Sequence, residues 1–252
     1  SEGHDVILYE GAGHAGGRCR SFHDDHLDCT IDNGNHLLLS GNTKVQDYLA
    51  LIDAEAELTG PDRAVFPFVD LAFNLKWTVE IDESWWPGWV LNRKRRIPGT
   101  GIWDYVKSSR LMTASENDTL QDVIDTDTNL FRRFIEPLTV GVLNTPAETG
   151  SALLLAKVIR ETFIRGARAC RPRMAKHGLS QTFVDPALRY LKDRNARFEP
   201  NRRLRKISTE GQRAVALAFV DGKQTINATD MVVLALPAQA VGTLLPVIEP
   251  PC

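Results

Sequence analysis

The sequence has few cysteines, no long apolar run and no large excess of charge of either sign. Its four cysteines, Cys19, Cys29, Cys170 and Cys252, lie far apart and form no C-x-x-C pair. This spacing argues against a zinc site and a disulfide framework, and it suits a reducing cytoplasm. The apolar stretches are broken by proline or charge well before the length that spans a bilayer. We therefore expect neither a bound metal nor a transmembrane helix.

The charge balance of the chain is close to neutral. Thirty Lys and Arg residues against 32 Asp and Glu residues give a formal net charge of -2 over 252 residues. A general nucleic-acid binder would be strongly basic, so nucleic acid is not an expected partner. The composition, 43% hydrophobic and 25% charged, is typical of a globular enzyme of one large or two modest domains. It leaves the oligomeric state open.

The most informative segment lies near the beginning of the chain, where an apolar run from Val6 to Tyr9 ends in Glu10. A carboxylate at the end of a parallel strand can accept both hydroxyls of a ribose. Backbone without side chains at Gly16 and Gly17 can approach a pyrophosphate, which Arg18 then neutralises. This spacing predicts an adenine dinucleotide site, and we interpret the ligand as FAD.

Two features of the same segment have a second interpretation. A G-x-G-x-x-G pattern begins at Gly11, directly after the predicted strand, as a Rossmann phosphate-binding turn requires. Its glycines should open a helix, but the residues after them show no apolar stripe at helical period. In that alternative, Asp32 lies at about the distance of the ribose-binding acid. Arg18 also has a competing explanation, an ion pair with an aspartate between positions 24 and 28.

The segment from Glu10 to Phe22 resembles the second nucleotide-binding motif of the flavin amine oxidase and phytoene desaturase superfamily. The resemblance implies an α/β fold with a Rossmann-like FAD-binding domain and an inserted, mixed α+β substrate domain. In that superfamily a first strand and glycine-rich helix come earlier, and a flavin-contacting segment lies near the C-terminus. Neither is found in this sequence, so we expect the chain to be truncated at both ends and its FAD-binding domain to be partial.

Three further segments are similar to the squalene-associated branch, the hydroxysqualene dehydroxylases of hopanoid biosynthesis. They are Ile31 to Asn42, Glu136 to Pro146 and Arg171 to Leu191. The resemblance implies an FAD-dependent oxidoreductase that acts on a long isoprenoid and removes the hydroxyl of hydroxysqualene to give squalene. Protonation and loss of that hydroxyl would leave an allylic cation, which hydride from the reduced flavin would quench. The protein would then supply mainly a dry apolar tunnel and alignment.

Two alternatives stay open at this point. One is a carotenoid or phytoene-type desaturase, or another amine-oxidase-family flavoenzyme, in which oxidised flavin takes hydride from a C–H bond. The other is an inactive fragment or a non-enzymatic binding module. A chain without the first glycine turn lacks a principal set of pyrophosphate donors, so we expect this one to hold FAD poorly.

The resemblance assigns further residues to the flavin. It places Asn33 and Gly34 beside the isoalloxazine, where a glycine permits close approach. Leu204, three residues after Asn201, stands where a family strand that covers the adenine usually has valine. His36 is a weak candidate for the catalytic acid or base, because an imidazole titrates near neutral pH. A hydrogen-bonded structural histidine is the alternative at that position.

The order of predicted elements gives the domain boundaries. Residues 1–60 are predicted to form the first part of the FAD-binding domain, 61–170 the substrate domain and 171–252 the second part of the FAD-binding domain. The periodicity predicts helices near 45–52, 131–143, 152–164 and 180–193, and strands within 65–81, 198–207, 214–220 and 231–236.

A tryptophan cluster followed by a cationic run gives a hypothesis about location. Trp85, Trp86 and Trp89 precede the basic residues from Arg93 to Arg96. Aromatic rings beside cations suit the headgroup region of an anionic bilayer, which predicts a peripheral contact on the inner membrane face. The alternative is that the tryptophans pack in a core and the cations form a solvated surface.

Overall fold

The computed structural model describes residues 3–34, 37–84, 87–211 and 213–245. Its contacts divide the chain into two compact units. The flank unit comprises residues 1–34 and 177–252, and the inserted unit comprises residues 35–176. The predicted limits were residues 60 and 170. The division falls elsewhere because β-strand residues 172–175 pair with residues 38–39 and 58–59, which places all three segments in one unit.

The first part of the flank unit is built from three short strands. They are β1 (Ile7–Tyr9), β2 (Ser21–Asp24) and β3 (Cys29–Asp32). Strands β2 and β3 form an antiparallel hairpin in which Ser21 is opposite Asp32. The Asp24 carboxylate accepts hydrogen bonds from two backbone N–H groups of the turn, which fixes the hairpin, as aspartate commonly does in turns.

The inserted unit contains most of the helices. Its elements in chain order are β4 (Leu38–Leu39), α1 (Thr43–Leu51), β5 (Leu58–Thr59), β6 (Val65–Asp70), β7 (Leu75–Glu80), α2 (Ile102–Ser108), α3 (Leu120–Val123), α4 (Glu136–Leu143), α5 (Ala152–Glu161), α6 (Ala167–Cys170) and β8 (Pro172–Ala175). Short 3-10 turns at 55–57, 88–90, 109–113 and 163–165 and a π-helical turn at 131–135 connect them.

Strand pairing and a large apolar core hold the inserted unit together. Strand β8 lies between β4 and β5 and is antiparallel to both, while β6 and β7 form a separate antiparallel hairpin. Val79 of β7, Leu120 of α3 and Leu155 of α5 are fully buried in the core. The predicted strands within 65–81 and the predicted helices near 45–52, 131–143 and 152–164 are confirmed.

The remainder of the flank unit follows β8. A π-helical turn at 180–184 leads into α7 (Asp185–Lys192), and then come β9 (Arg197–Glu199), β10 (Lys206–Glu210), β11 (Arg213–Phe219), β12 (Gly222–Thr225) and α8 (Ala238–Leu244). Strand β9 is parallel to β1, with Tyr9 opposite Glu199. Strands β10, β11 and β12 form a separate antiparallel sheet.

Two strand predictions in the flank unit are wrong. The predicted strand at 198–207 is interrupted, because residues 200–205 form a turn and loop in which Asn201 has φ of 60°. Residues 231–236 alternate in exposure: Met231 and Val233 are exposed, while Val232 and Leu234 pack on the cluster around Ile207. A strand also needs a hydrogen-bonded neighbour, and none of the described residues pairs with this segment.

Candidate cofactor site

The Glu10 carboxylate lies at the end of β1, where the parallel pairing with β9 continues by one residue. The Glu10 N–H donates to the Glu199 carbonyl at 3.0 Å, and the Glu10 carbonyl accepts from Arg202 N at 2.8 Å. Glu10 Oε1 accepts from the Ala12 N–H at 2.8 Å in a half-buried position. Within the described parts of the chain no donor reaches Oε2, so this oxygen is open to an incoming hydroxyl.

The backbone between Gly16 and Cys19 makes a tight turn that only glycine can adopt at its first position. Gly16 has φ of +96°, and a Cβ there would lie 2.4 Å from the Cys19 carbonyl oxygen and 2.8 Å from Val184 Cγ2. Gly17 also has positive φ, +56°, but a Cβ there would meet nothing within 4 Å. The open space at Gly17 allows a ligand to approach the backbone closely.

The Arg18 side chain is exposed beside this turn. Among residues 3–34, 37–84, 87–211 and 213–245, its guanidinium has no hydrogen bond or ion pair. The Asp24 carboxylate is engaged by backbone N–H groups of its own turn, and Asp25 and Asp28 each lie 3.7 Å from His23 Nε2. The alternative in which Arg18 pairs with these aspartates is therefore not observed.

The competing interpretation of the glycine pattern finds no support in the structure. Residues 11–19 form turns and bends, and strand β2 follows where that motif requires a helix. Asp32, its candidate ribose acid, is occupied within the protein: Oδ1 accepts from Ser21 Oγ at 2.6 Å and from Leu179 N at 2.9 Å. Asp32 thus ties the β2–β3 hairpin to the turn before residue 180.

Asn33 lies next to the glycine turn. Its Nδ2 donates to the Arg18 carbonyl at 3.1 Å, and its backbone N–H donates to the Arg20 carbonyl at 2.9 Å. The structure thus brings the Gly16–Arg18 and Asn33 segments together. Gly34 is half-buried and is the last described residue before position 37. His36 lies outside the described residues.

Leu204 and Asn201 lie in the loop between β9 and β10. Leu204 is half-buried and packs on the cluster of Ile207, Leu217 and Phe219. The Asn201 N–H donates to the Ala12 carbonyl at 2.9 Å, so the loop lies against the turn that carries Glu10. The structure therefore places this loop at the site, while the contact of Leu204 with adenine stays a prediction.

The family assignment follows from a comparison over nearly the whole chain. The model of the family described as flavin containing amine oxidoreductase matches residues 1–251. The chain belongs to this family. Membership implies FAD as the cofactor. The described residues fit that group in part, with an open carboxylate oxygen at a strand end, open space over a glycine and an unpaired guanidinium.

Three relatives within the family carry the name hydroxysqualene dehydroxylase. The proteins of Sinorhizobium fredii, Zymomonas mobilis and Rhodopseudomonas palustris are 40%, 42% and 38% identical to this chain over 98% of its length. The chain spans 59% of the length of each relative.

Two solved structures share the fold. An oxidoreductase from Methanosarcina mazei matches with a TM-score of 0.72 at 13% identity, covering 98% of this chain and 57% of that one. A putative protoporphyrinogen oxidase from Exiguobacterium matches with a TM-score of 0.58 at 16% identity, covering 97% and 56%. The predicted α/β architecture of a flavin-dependent oxidoreductase is confirmed.

Several residues that support this family site escaped the sequence analysis. Ser21 N donates to Ser180 Oγ at 2.7 Å, and Ser180 N donates to Ser21 Oγ at 3.0 Å. Gly178, with φ of +111°, lets this pair approach, since a Cβ there would lie 2.8 Å from Ser21 Oγ. Arg202 donates to Glu199 Oε2 at 2.8 Å. An isolated glycine and two serines far apart in sequence carry no pattern that would have identified them.

Cys19 directly follows the arginine of the turn and offers a pH-dependent probe of it. Burial raises the pKa of its thiol, and the negative charge of Asp32 raises that pKa further. We expect alkylation of Cys19 by iodoacetamide to require a higher pH than a free thiol does, because the thiolate is the reactive form. Asp32→Asn keeps the hydrogen-bond acceptor but removes the charge, so it should lower the pH of half-maximal alkylation.

Mass spectrometry of labelled peptides across a pH series measures this effect. Asp25→Asn is the matched control, because it removes an exposed charge from the neighbouring turn and should leave Cys19 unchanged. An unaltered pH profile in Asp32→Asn would contradict the electrostatic coupling.

The tryptophan cluster and the basic run are partly structural. Trp89 is only 7% exposed, and its ring lies 5.6 Å from the Tyr105 ring in an edge-on arrangement. Arg95 donates to Asp82 Oδ1 and Arg96 to the Val90 carbonyl, each at 2.6 Å. Core packing thus accounts for Trp89, and the basic run is only partly solvated. Trp85 and Trp86 lie outside the described residues.

Among the helices of residues 3–34, 37–84, 87–211 and 213–245, none has the length and apolar character needed to cross a bilayer.

Proposed function

We propose that this chain is part of an FAD-dependent oxidoreductase that converts hydroxysqualene to squalene by reductive dehydroxylation. The observation that supports it is the 38–42% identity to three hydroxysqualene dehydroxylases over 98% of the chain. The long isoprenoid would be the substrate, and hopanoid biosynthesis the context that the relatives' name implies.

The proposed roles of the residues follow from their positions. Glu10 would accept the ribose hydroxyls of FAD through Oε2 and the remaining lone pairs of Oε1. The backbone at Gly17 would approach the pyrophosphate, and the Arg18 guanidinium would neutralise it with two parallel N–H groups. Asn33 and Gly34 would lie toward the isoalloxazine, and Leu204 toward the adenine.

The chemistry needs little more from the protein. When bound, reduced flavin supplies a hydride. The polypeptide would protonate the leaving hydroxyl, exclude water and align the chain of the substrate. The proton donor is unassigned, and His36 is one candidate for it. The proposed reaction forms no covalent bond to the enzyme, so it requires no nucleophilic triad.

Anaerobic incubation with hydroxysqualene, FAD and dithionite tests the activity. The product is expected to be squalene, detected by gas chromatography, in a flavin-dependent manner. A parallel incubation with oxidised FAD and without dithionite tests the desaturase alternative, which desaturated products would support. If the chain binds no flavin and forms no product while a version extended to the relatives' length does both, it acts only as part of the longer protein.

We also propose a peripheral contact with the inner membrane face. A substrate of this class dissolves in the bilayer core, so an enzyme that takes it up benefits from residence at the membrane surface. Among the basic run, Arg93 and Lys94 are exposed and form no ion pair within the described ranges.

A further inference from the structure

The inserted unit exposes large apolar side chains on two of its elements, and these side chains are not part of its core. Leu71 and Phe73, at the tip of the β6–β7 hairpin, are 86% and 75% exposed, and Trp103 on α2 is 74% exposed. We propose that the hairpin tip and the outer face of α2 together form a docking surface for an anionic lipid bilayer. This inference rests on the membrane contact proposed above and assigns it a location.

The hairpin tip is held in shape by its own polar groups. The strands pair as far as Asp70 opposite Leu75, and Asp70 Oδ1 accepts from Ala72 N at 3.1 Å and Phe73 N at 3.3 Å. The Asp70 carboxylate therefore satisfies two backbone N–H groups of the turn, and the side chains of Leu71 and Phe73 take no part in these bonds. These two side chains are free to enter another apolar phase without unfolding the turn.

Helix α2 has one inner and one outer face. Tyr105 belongs to the inner face, because its hydroxyl accepts from Ile97 N at 3.1 Å and its ring packs against Trp89. On the outer face, Trp103 is accompanied by Ile102 and Val106, which are 41% and 49% exposed. An exposed tryptophan with aliphatic neighbours is typical of helices that lie in the membrane interface.

Arg133 joins the two elements. Its Nε lies 3.8 Å from Asp70 Oδ2 at the base of the hairpin tip, and its NH1 donates to the Pro98 carbonyl at 2.6 Å. Asn129 Nδ2 donates to the Gly99 carbonyl at 3.1 Å in the same loop, which leads directly into α2. The Arg133 guanidinium therefore contacts both the base of the hairpin tip and the loop before α2, so these two segments lie close together.

The acidic side chains around this surface have partners within the protein, whereas the exposed cations form no ion pair in the described ranges. Asp70 is held by the backbone of its turn and by Arg133, and Asp104 Oδ2 accepts from Gly101 N at 2.7 Å. Within the described parts of the chain, the exposed cations Lys76, Lys107 and Arg110 form no ion pair. Asp104 keeps its negative charge, but the three cations outnumber it, so the charge that is not ion-paired on these two elements and the turn after α2 is net positive.

This positive balance favours a bilayer over a second copy of the chain. Anionic headgroups attract cations that border an inserted apolar surface. A symmetric dimer would place the same surface of two chains face to face and bring like charges together. The location also differs from that of Trp89 and Arg95, which the inserted unit uses internally.

Vesicle co-sedimentation tests the inference with the whole chain. Wild type should sediment with phosphatidylcholine vesicles that contain about a third phosphatidylserine. Leu71→Ser/Phe73→Ser/Trp103→Ser should lower the partition coefficient by about tenfold or more, because the inserted apolar area is lost. Lys107→Gln/Arg110→Gln should remove the preference for anionic over neutral vesicles.

The matched control is Leu51→Ser/Met174→Ser, which removes two exposed apolar side chains elsewhere in the inserted unit. It should sediment like wild type. Equal partition of the triple variant and wild type would overturn the inference, as would a wild-type dimer in light scattering that the same triple substitution dissociates.

Circular dichroism verifies that the variants fold, and squalene formation in detergent is measured alongside. Loss of vesicle binding with unchanged turnover in detergent supports the surface. Vesicle binding that depends on these residues, with no turnover by this chain or by a version extended to the relatives' length, would reject the dehydroxylase proposal and leave the surface intact.

Discussion

Glu10→Gln should weaken FAD binding by about 30- to 150-fold, which corresponds to a loss of about 2–3 kcal/mol. A carboxylate that accepts ribose hydroxyls makes charge-assisted hydrogen bonds, which are about twice as strong as neutral ones. The amide of glutamine also presents an N–H₂ group where an acceptor is required. Quenching of flavin fluorescence in a titration of apoprotein measures the dissociation constant.

Glu210→Gln is the control for this variant. Glu210 is an exposed carboxylate at the end of β10 in the same unit, so its loss should leave FAD affinity within about twofold of wild type. The stability of both variants against urea should be similar. If Glu10→Gln retained the wild-type dissociation constant, Glu10 would not be a ribose ligand.

Gly16→Ala should destabilise the flank unit by about 3 kcal/mol or more and abolish flavin retention. Its Cβ would lie 2.4 Å from the Cys19 carbonyl oxygen, so the backbone of the turn must move, and the positive φ adds strain. Gly17→Ala adds only the strain of a left-handed alanine, about 1 kcal/mol, because no atom lies within 4 Å of its Cβ. Urea unfolding of the three proteins compares these values.

Comparing stability with FAD affinity in the two glycine variants distinguishes an effect on folding from an effect on binding. Gly17→Ala should fold but hold FAD more weakly, since its methyl group occupies the space that a pyrophosphate would approach. Gly211→Ala is the control, with φ of +59° and an equally open surrounding but at a distant turn. Equal stabilities of Gly16→Ala and Gly17→Ala would show that the turn at Gly16 has a different geometry.

Local patterns predicted local structure well. Strands β6 and β7 followed from the β-branched and aromatic residues within 65–81, and α1 followed from its apolar spacing. The segment 231–236 is a short continuous apolar run, which is typical of a buried strand, and in the structure its burial alternates from Met231 to Leu234. Whether it becomes a strand depends on a hydrogen-bonded neighbour, which no local pattern reveals.

The site shows the same division between local and distant information. Glu10 and the glycine turn could be predicted as a site because all their residues lie within one short segment of the sequence. The hydrogen bond from Leu179 N to Asp32, by contrast, joins two residues of the flank unit that are separated in the sequence by the whole inserted unit. Only the fold reveals that this aspartate is engaged within the protein and not open to a ribose.

The parallel pairing of β1 with β9 has a kinetic consequence. Ile7 must find Arg197, and the entire inserted unit lies between them in the chain. Closing a flexible loop of that length costs about 4 kcal/mol in entropy before the strands gain any contact. If the inserted unit folds first, its ends are fixed and most of this cost is removed. Mutations that destabilise residues 35–176 should therefore slow the assembly of a cofactor site that contains none of them.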